Sequence, residues 1–122
     1  MVERELESLI REYLFKGKSV IVFGARQVGK TTLVEQLTEP FRDKTLFLNG
    51  DEADIRELLS NLNSTRLRPV IGDNKIVVVD EAQRIPDCGI ALKIIHDQFK
   101  DIQLIATGSS AFEMAGQIME PM

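Results

Sequence analysis

The chain has 122 residues, a length typical of one domain, and its 43% hydrophobic and 28% charged residues are typical of a folded globular protein. A single cysteine excludes an internal disulfide and, with a single histidine, argues against a structural zinc site. The net charge of −4 gives no electrostatic reason to expect nucleic-acid binding. The acidic start does not resemble a signal peptide and no apolar run is long enough to span a membrane, so we expect a cytoplasmic protein.

The first half of the chain alternates helix and strand patterns. Apolar residues at helical spacing predict a helix from residue 2 to about residue 16. The β-branched and aromatic run of residues 19–23 predicts a buried parallel strand. A further helical pattern follows residue 32 and ends at Pro40, and residues 45–48 predict a second strand.

The second half continues the alternation. Four leucines and isoleucines at helical spacing predict a helix over residues 51–62, whereas the polar residues 63–75 predict a loop with at most one helical turn. Residues 76–79 form the strongest strand pattern of the chain. A helix near residues 89–99 and a strand over residues 102–106 complete the series.

This order of elements predicts one α/β domain over residues 1–122, with a parallel sheet and helices on both faces. Ligands of such sheets bind at the carboxyl ends of the strands. Three polar clusters, residues 24–32, 80–81 and 107–110, all follow predicted strands and are therefore expected at that one edge.

The first cluster fits the phosphate-loop pattern G-x-x-x-x-G-K-[ST], with a strand before it and a helix after it. Such a loop turns backbone N–H groups toward phosphate oxygens, and the following helix adds its positive dipole end. Lys30 would contact the β- and γ-phosphates as a catalytic residue, and Thr31 would bind Mg²⁺. The alternative is a glycine-rich turn that opens an ordinary helix. The candidate nucleotide-binding residues are Gly24, Ala25, Arg26, Gln27, Val28, Gly29, Lys30, Thr31 and Thr32.

The second cluster places Asp80 and Glu81 after four aliphatic residues, as in a Walker B element. Asp80 would hold Mg²⁺ through its water shell, and Glu81 would polarise the attacking water. Taken without the phosphate loop, the pattern equally describes solvated carboxylates at a strand end. The adjacent glutamate favours a hydrolase over a small-molecule kinase.

Thr107 ends the last predicted strand, where its hydroxyl would contact the γ-phosphate or the water, a position called sensor 1. The competing interpretation is a helix N-cap by Ser109 or Ser110. Arg26 is expected to face solvent or to contact a phosphate or a neighbouring subunit, and Arg84 to be a surface residue or a trans-acting finger. His96 lies among apolar residues of a predicted helix, as an ordinary partly buried histidine does.

Together the segments resemble the AAA-type ATPases of archaea and bacteria. The match rests on Gly24-Ala25-Arg26-Gln27-Val28-Gly29-Lys30-Thr31-Thr32-Leu33, Asp80-Glu81-Ala82-Gln83-Arg84-Ile85-Pro86-Asp87 and Thr107-Gly108-Ser109-Ser110. The resemblance implies a three-layer P-loop NTPase core of the additional-strand type, with sheet order 5-1-4-3-2. It also implies ATP and Mg²⁺ as cofactors, and it gives the roles above to Lys30, Thr31, Asp80, Glu81 and Thr107. The sequence does not show the adenine pocket, although Tyr13 and the first helix are near the place expected for it.

Members of that family continue beyond the point where this sequence ends. We therefore expect the fifth strand, an arginine finger and a C-terminal domain or protein partner to be missing. Without the fifth strand, residues 20–23 would lie at an exposed sheet edge, which predicts self-association. Without the finger, worth about 10³–10⁵ in turnover, the chain should bind ATP and hydrolyse it slowly.

Three functions are compatible with these motifs. The leading one is an ATP-hydrolysing module that moves a partner or C-terminal domain. The second is a nucleotide-gated switch or scaffold with little turnover. The third, a nucleic-acid motor, is disfavoured because Arg66 and Arg68 form the only tight basic pair of the middle region.

Overall fold

The computed structural model describes residues 8, 10–12, 14–23, 30–60, 64–108 and 118–121. Nine named elements alternate along these residues, with a short helical segment at residues 10–12 before the first of them. They are β1 (Val20–Phe23), α1 (Lys30–Thr38), β2 (Thr45–Asn49), α2 (Ala53–Ser60), α3 (Ser64–Ile71), β3 (Ile76–Asp80), α4 (Cys88–Gln98), β4 (Gln103–Gly108) and β5 (Ile118–Pro121). Two 3₁₀ helices, Glu39–Lys44 and Ala82–Arg84, join them.

The five strands form one parallel sheet in the order β2-β3-β4-β1-β5. This is the predicted order 5-1-4-3-2, read from the other side. Each parallel pair needs a crossover connection, and β1 lies between β4 and β5, the two strands farthest from it in sequence. The α/β fold with a parallel sheet is therefore confirmed.

The core lies on both faces of the sheet because successive strand residues point to opposite sides. Val77 and Val79 pack with α2, α3 and α4 on one face, whereas Ile76 and Val78 pack with Val34 of α1 on the other. The four aliphatic residues of β3, which precede Asp80, are fully buried. Such an uninterrupted aliphatic strand is typical of a sheet covered on both faces, and it gives the three-layer architecture.

The expectation of a missing fifth strand is wrong. β5 pairs in parallel with β1, with Val20 opposite Ile118 and Phe23 opposite Pro121. β1 is thus an interior strand of the sheet, and β2 and β5 form the two edges of the described sheet. The argument for self-association through an exposed β1 edge loses its basis with this correction.

Residues 64–71 form a helix, not the predicted loop. Leu67 and Ile71 lie one turn apart and are buried in the core, which stabilises the helix despite Pro69 within it. The helix predicted over residues 51–62 begins two residues later, with described bounds Ala53–Ser60, and residues 61 and 62 lie outside the described residues. β4 extends two residues further than predicted, to Gly108. Of the first predicted helix, residues 8 and 10–12 are described as helical. Among the described residues, no helix has both the length and the apolar character needed to cross a membrane.

Candidate functional site

The carboxyl edge of the sheet brings three strand ends together. β1, β4 and β3 are adjacent, with Val22 opposite Thr107 and Val79 opposite Ala106. Asp80 therefore ends β3 beside Thr107, and β1, the strand before the phosphate-loop sequence, ends on the other side of β4. Asp80 and Glu81 thus meet Thr107 at one edge of the sheet, as predicted.

The Thr107 hydroxyl joins the two acidic residues of β3 and its following turn. Its oxygen accepts the backbone N–H of Glu81 at 3.1 Å, and its hydrogen is donated to Oδ1 of Asp80. Thr107 is fully buried, so these bonds are formed away from competing water. The hydroxyl fixes the Asp80 carboxylate and leaves its second oxygen open to another ligand.

Glu81 has an unusual backbone conformation, with φ of 53° and ψ of 47° in the left-handed region. A glutamate in this region is uncommon and indicates local strain that surrounding contacts must hold. Its side chain is 9% exposed, and Oε1 accepts a hydrogen bond from Nε2 of Gln83 at 2.8 Å. The carbonyl of Glu81 accepts the backbone N–H of Arg84 at 3.0 Å, which closes the 3₁₀ turn.

A glycine after β2 contacts the same turn. The N–H of Gly50 donates to the carbonyl of Asp80 at 2.7 Å. A Cβ atom at residue 50 would lie 2.3 Å from the carbonyl oxygen of Glu81, so only glycine allows this approach. The β2–α2 turn is therefore packed directly against the backbone of the two acidic residues.

Side chains around Gly50 hold that turn in place. Asn49 Oδ1 accepts the backbone N–H of Asp51 at 2.9 Å, and an Arg56 guanidinium N–H donates to the carbonyl of Gly50 at 2.9 Å. Arg84, which the sequence left as a surface residue or a trans-acting finger, pairs with Asp51 at 3.5 Å. Both partners are substantially exposed, so this ion pair contributes little stability.

For several predicted site residues, the structure describes only the backbone or nothing at all. Lys30 and Thr31 are the first residues of α1, directly after the loop segment, and only their backbone is described. Thr32 is exposed on the same helix. The residues Tyr13, Gly24, Ala25, Arg26, Gln27, Val28, Gly29, Ser109 and Ser110 lie outside the described residues, and the N-cap alternative for the two serines lies there with them.

His96 lies far from this site, on the side of the sheet where the strands begin. Its Nδ1 is 2.7 Å from the hydroxyl of Ser19, which precedes β1. The histidine is partly buried, which agrees with the interpretation of an ordinary structural residue. Cys88, the first residue of α4, is a half-buried free thiol.

Sequence reasoning missed the part played by Gly50 and gave no function to Gln83. Asn49-Gly50 follows a predicted strand in the same way as Asp80-Glu81 and Thr107-Gly108, so its placement at the carboxyl edge was available from the pattern. The contact of Gln83 with Glu81 was not, because it depends on the left-handed backbone at Glu81.

The donor atoms at this edge fit a hard divalent cation. A carboxylate and hydroxyls are the oxygen ligands that Mg²⁺ prefers, and Mg²⁺ commonly uses one or two carboxylates together with phosphate oxygens. Asp80 has one carboxylate oxygen that is not used by Thr107, and Thr31 lies in the first turn of α1, the helix that follows β1. β4 separates β1 from the strand of Asp80. The residues present are thus compatible with magnesium bound beside a nucleotide.

Comparison with known proteins defines the class. The family model described as AAA domain matches residues 16–122, and the chain belongs to that family. It is an AAA-type P-loop NTPase domain.

The individual relatives extend beyond this region. An uncharacterized protein of Mycobacterium tuberculosis is 26% identical over 120 residues, which are 98% of this chain and 26% of that protein. The chain thus spans about a quarter of that relative. PCH-2 of C. elegans has a similar fold, with a TM-score of 0.64, 14% identity, and coverage of 98% of this chain and 42% of that one. A DNA replication initiation factor has a TM-score of 0.62 at 12% identity, covering 97% of this chain and 44% of that one. At these identities, the two structures show likeness of fold alone.

Proposed function

We propose that this domain binds ATP with Mg²⁺ at the carboxyl edge of the sheet and hydrolyses it. The observation that carries the proposal is the Thr107 hydroxyl, which holds both Asp80 and Glu81 beside the strand that leads into the phosphate-loop sequence. These buried hydrogen bonds fix the carboxylate of Asp80 and the backbone N–H of Glu81, and Gln83 holds the Glu81 carboxylate. Acid–base chemistry at a water molecule requires such a fixed arrangement.

Each residue has a separate task in this proposal. Residues 24–32 bind the phosphates, with Lys30 on the β- and γ-phosphates. Thr31 and Asp80 hold Mg²⁺, which when bound neutralises charge on the phosphates. Glu81 accepts a proton from the attacking water, and Thr107 positions both acidic residues.

The output of hydrolysis would be a movement of a partner or of a further domain, since loss of the γ-phosphate removes contacts that hold neighbouring segments. The β2–α2 turn is the element best placed to respond, because Gly50 contacts the backbone of Asp80 and Glu81 directly. Because the chain spans 26% of its mycobacterial relative, the activity of any whole protein is part of this proposal.

Calorimetric titration of the chain with MgATP and MgADP tests nucleotide binding. Lys30→Ala removes a charge-assisted contact worth about 1.5–3 kcal/mol and should weaken binding roughly 10- to 150-fold. Lys93→Ala, a lysine on the outer surface of α4 that pairs with Asp97, is the matched control and should bind as the wild type does. No binding by a folded wild-type chain would reject the proposal.

Single-turnover hydrolysis separates the two leading functions. Glu81→Gln keeps the size of the side chain and removes the base, so an ATPase should lose turnover by about 10²–10⁴ while retaining nucleotide affinity. In a nucleotide-gated switch with little turnover, the same substitution should change little. A nucleic-acid-dependent motor is a third candidate, and one protein of similar fold is a DNA replication initiation factor. Stimulation of turnover by DNA or RNA would favour that candidate.

A further inference from the structure

The edge of the sheet opposite the candidate site carries most of the lysines of the chain. The sequence has seven lysines, and five of them lie in the segments that lead into β1, β2, β3 and β4. All five are exposed, and we call this set the lysine edge: Lys16, Lys18, Lys44, Lys75 and Lys100. A net charge of −4 for the whole chain conceals this segregation.

Backbone hydrogen bonds hold three of these lysines in a row across the sheet. The N–H of Lys75 donates to the carbonyl of Lys44 at 2.7 Å, and the N–H of Gln103 donates to the carbonyl of Lys75 at 2.8 Å. The side-chain amide of Gln103 donates to the carbonyl of Lys18 at 2.9 Å. Since neighbouring strands lie about 4.8 Å apart, the row extends roughly 14 Å across four strands. The backbone positions of its cations are therefore fixed by the sheet.

The carboxylates near this edge do not neutralise it. Asp73 pairs with Lys44 at 2.5 Å, and the hydrogen bond and charge of Lys44, with a smaller contribution from Lys75, lower the pKa of Asp73. Among the described residues, no carboxylate lies within ion-pair distance of Lys18, Lys75 or Lys100.

Three further carboxylates contribute to the local charge. Asp43 and Asp101 are exposed neighbours of Lys44 and Lys100 in sequence. Asp97 of α4 has a lowered pKa, mainly through its hydrogen bond with Lys93, and Lys100 contributes to the shift. The five lysines thus outnumber the four aspartates near them by one, and Lys18, Lys75 and Lys100 are within ion-pair distance of no described carboxylate.

Aromatic side chains adjoin the row. A cavity of about 170 Å³ opens between residues 15–19 and 99–104, and its walls include the exposed Phe15 and the buried Phe99 beside Lys18, Lys100 and one carboxylate, Asp101. The Phe15 ring is 45% exposed although it is large and apolar. Proteins that bind single-stranded nucleic acid combine cations that follow the phosphates with aromatic rings on which bases stack.

We propose that the lysine edge binds single-stranded nucleic acid, with phosphates on Lys18, Lys75 and Lys100 and a base against Phe15. The Phe15 ring lines the same cavity as Lys18 and Lys100, and its edge contact with Phe41 leaves it 45% exposed, so a base can stack on it while the lysines contact phosphates. The lysines would contact the phosphates of the nucleic acid and Phe15 would contact the face of a base, so binding is independent of base sequence.

Fluorescence anisotropy with a labelled oligothymidylate tests this directly. Saturating MgADP is present throughout, so that it occupies the phosphate-loop sequence and oligothymidylate cannot bind there. Three phosphate contacts to a single strand give a salt slope of about −2, which is an affinity loss of roughly 20-fold between about 50 and 200 mM salt. Absence of binding at the lower salt concentration would overturn the proposal.

Variants locate the surface. Lys75→Gln should weaken binding and make the salt slope shallower by about 0.7, whereas Arg84→Gln, at an exposed cation of the opposite edge of the sheet, should leave both unchanged. The triple variant Lys18→Gln, Lys75→Gln, Lys100→Gln should lose the salt-dependent binding while retaining its affinity for MgADP, which shows that it is folded. Phe15→Leu should weaken binding without altering the slope.

Two outcomes contradict the assignment even if binding is observed. Equal affinity of the triple variant and the wild type would place the nucleic acid elsewhere on the chain. Equally effective competition by polyglutamate and by unlabelled oligothymidylate would mean that the edge accepts any polyanion, and the partner would then be an acidic protein surface. Neither outcome depends on whether the chain hydrolyses ATP.

Discussion

The hydroxyl of Thr107 and the backbone N–H of Glu81 are joined by a buried hydrogen bond of 3.1 Å between two neighbouring segments of the sheet edge. The same hydroxyl donates to Asp80, so a single small side chain on β4 fixes the backbone of one acidic residue and the carboxylate of another. Moving the Asp80 carboxylate or the Glu81 backbone therefore requires breaking a hydrogen bond to β4.

Thr107→Val preserves the shape of the side chain and removes both hydrogen bonds. The N–H of Glu81 would then be buried without a partner, so we expect a loss of about 1–3 kcal/mol in the free energy of unfolding. Urea denaturation measures this loss. Thr65→Val at an exposed position of α3 is the control and should stay within about 0.5 kcal/mol of the wild type. Equal effects of the two substitutions would contradict the importance of the buried hydroxyl.

Gly50→Ala should disturb the candidate site through the backbone. The added Cβ would lie 2.3 Å from the carbonyl oxygen of Glu81 and 3.0 Å from that of Asp80. Relief requires the turn or the acidic residues to move, and overpacking of this kind costs about 1–3 kcal/mol.

Gly72→Ala provides the comparison for that substitution. Gly72 has φ of +55°, and the nearest atom to an added Cβ is 3.9 Å away, so only conformational strain of about 1–2 kcal/mol is expected. Both variants should lose stability in urea titrations, but only Gly50→Ala should also change ATP turnover. Unaltered turnover in Gly50→Ala would show that the contact is purely structural.

Gln83→Leu removes the amide that donates to the Glu81 carboxylate at 2.8 Å. If this bond orients the base, turnover should fall by about tenfold, less than the roughly 10²–10⁴ expected for loss of the base itself. Affinity for MgATP should be unchanged, because Gln83 lies outside the phosphate-loop sequence. Gln83→Asn, which keeps the amide on a shorter side chain, should recover part of the rate. A normal rate in Gln83→Leu would mean that Glu81 is oriented without this residue.

Cys88 should react slowly with alkylating reagents near neutral pH. Burial raises the pKa of the Cys88 thiol above its ordinary value of 9.0, so the folded chain has less of the reactive thiolate at a given pH. We expect iodoacetamide to react several-fold more slowly with the folded chain than with the chain unfolded in urea, as measured by mass spectrometry from pH 7 to 10.

The same shift has a defined sign for stability. Since the folded state favours the neutral thiol, its contribution is fully present below pH 9.0 and is lost as the pH rises through the folded pKa. Cys88→Ser should abolish this part of the alkaline dependence of unfolding. Faster alkylation in the folded chain would reverse the sign and contradict the burial argument.

The strands that surround the site were predictable because their runs of aliphatic residues are typical of buried strands. Ile76–Asp80 is aliphatic until it reaches the edge and then acidic, which defines both a strand and its carboxyl end. β5 was missed because its sequence, Ile118–Pro121, has one β-branched residue and ends in proline. Its assignment depends on pairing with β1, a tertiary contact that no local pattern contains.

The helix Ser64–Ile71 was missed for a related reason. Among residues 65–71, whose burial is described, only Leu67 and Ile71 are buried, and Pro69 lies between them. This pattern is too sparse to outweigh the polar residues around it. The left-handed backbone of Glu81 was likewise beyond prediction, because it is held by Thr107 and Gly50 from other strands. The chemistry of the site could be predicted from residue types, but the contacts by which residues of different strands hold one another in place could not.

The insertion of β1 between β4 and β5 also constrains how the domain is made. β1 pairs residue 20 with residue 105 on one side and with residue 118 on the other, so both of its neighbours are synthesised long after it. During synthesis on a ribosome, the strand that leads into the phosphate-loop sequence would emerge early. Its hydrogen bonds could form only after β4 and β5 had also emerged. Contacts of such long range slow folding, and they delay assembly of the nucleotide site until translation of the domain is nearly complete.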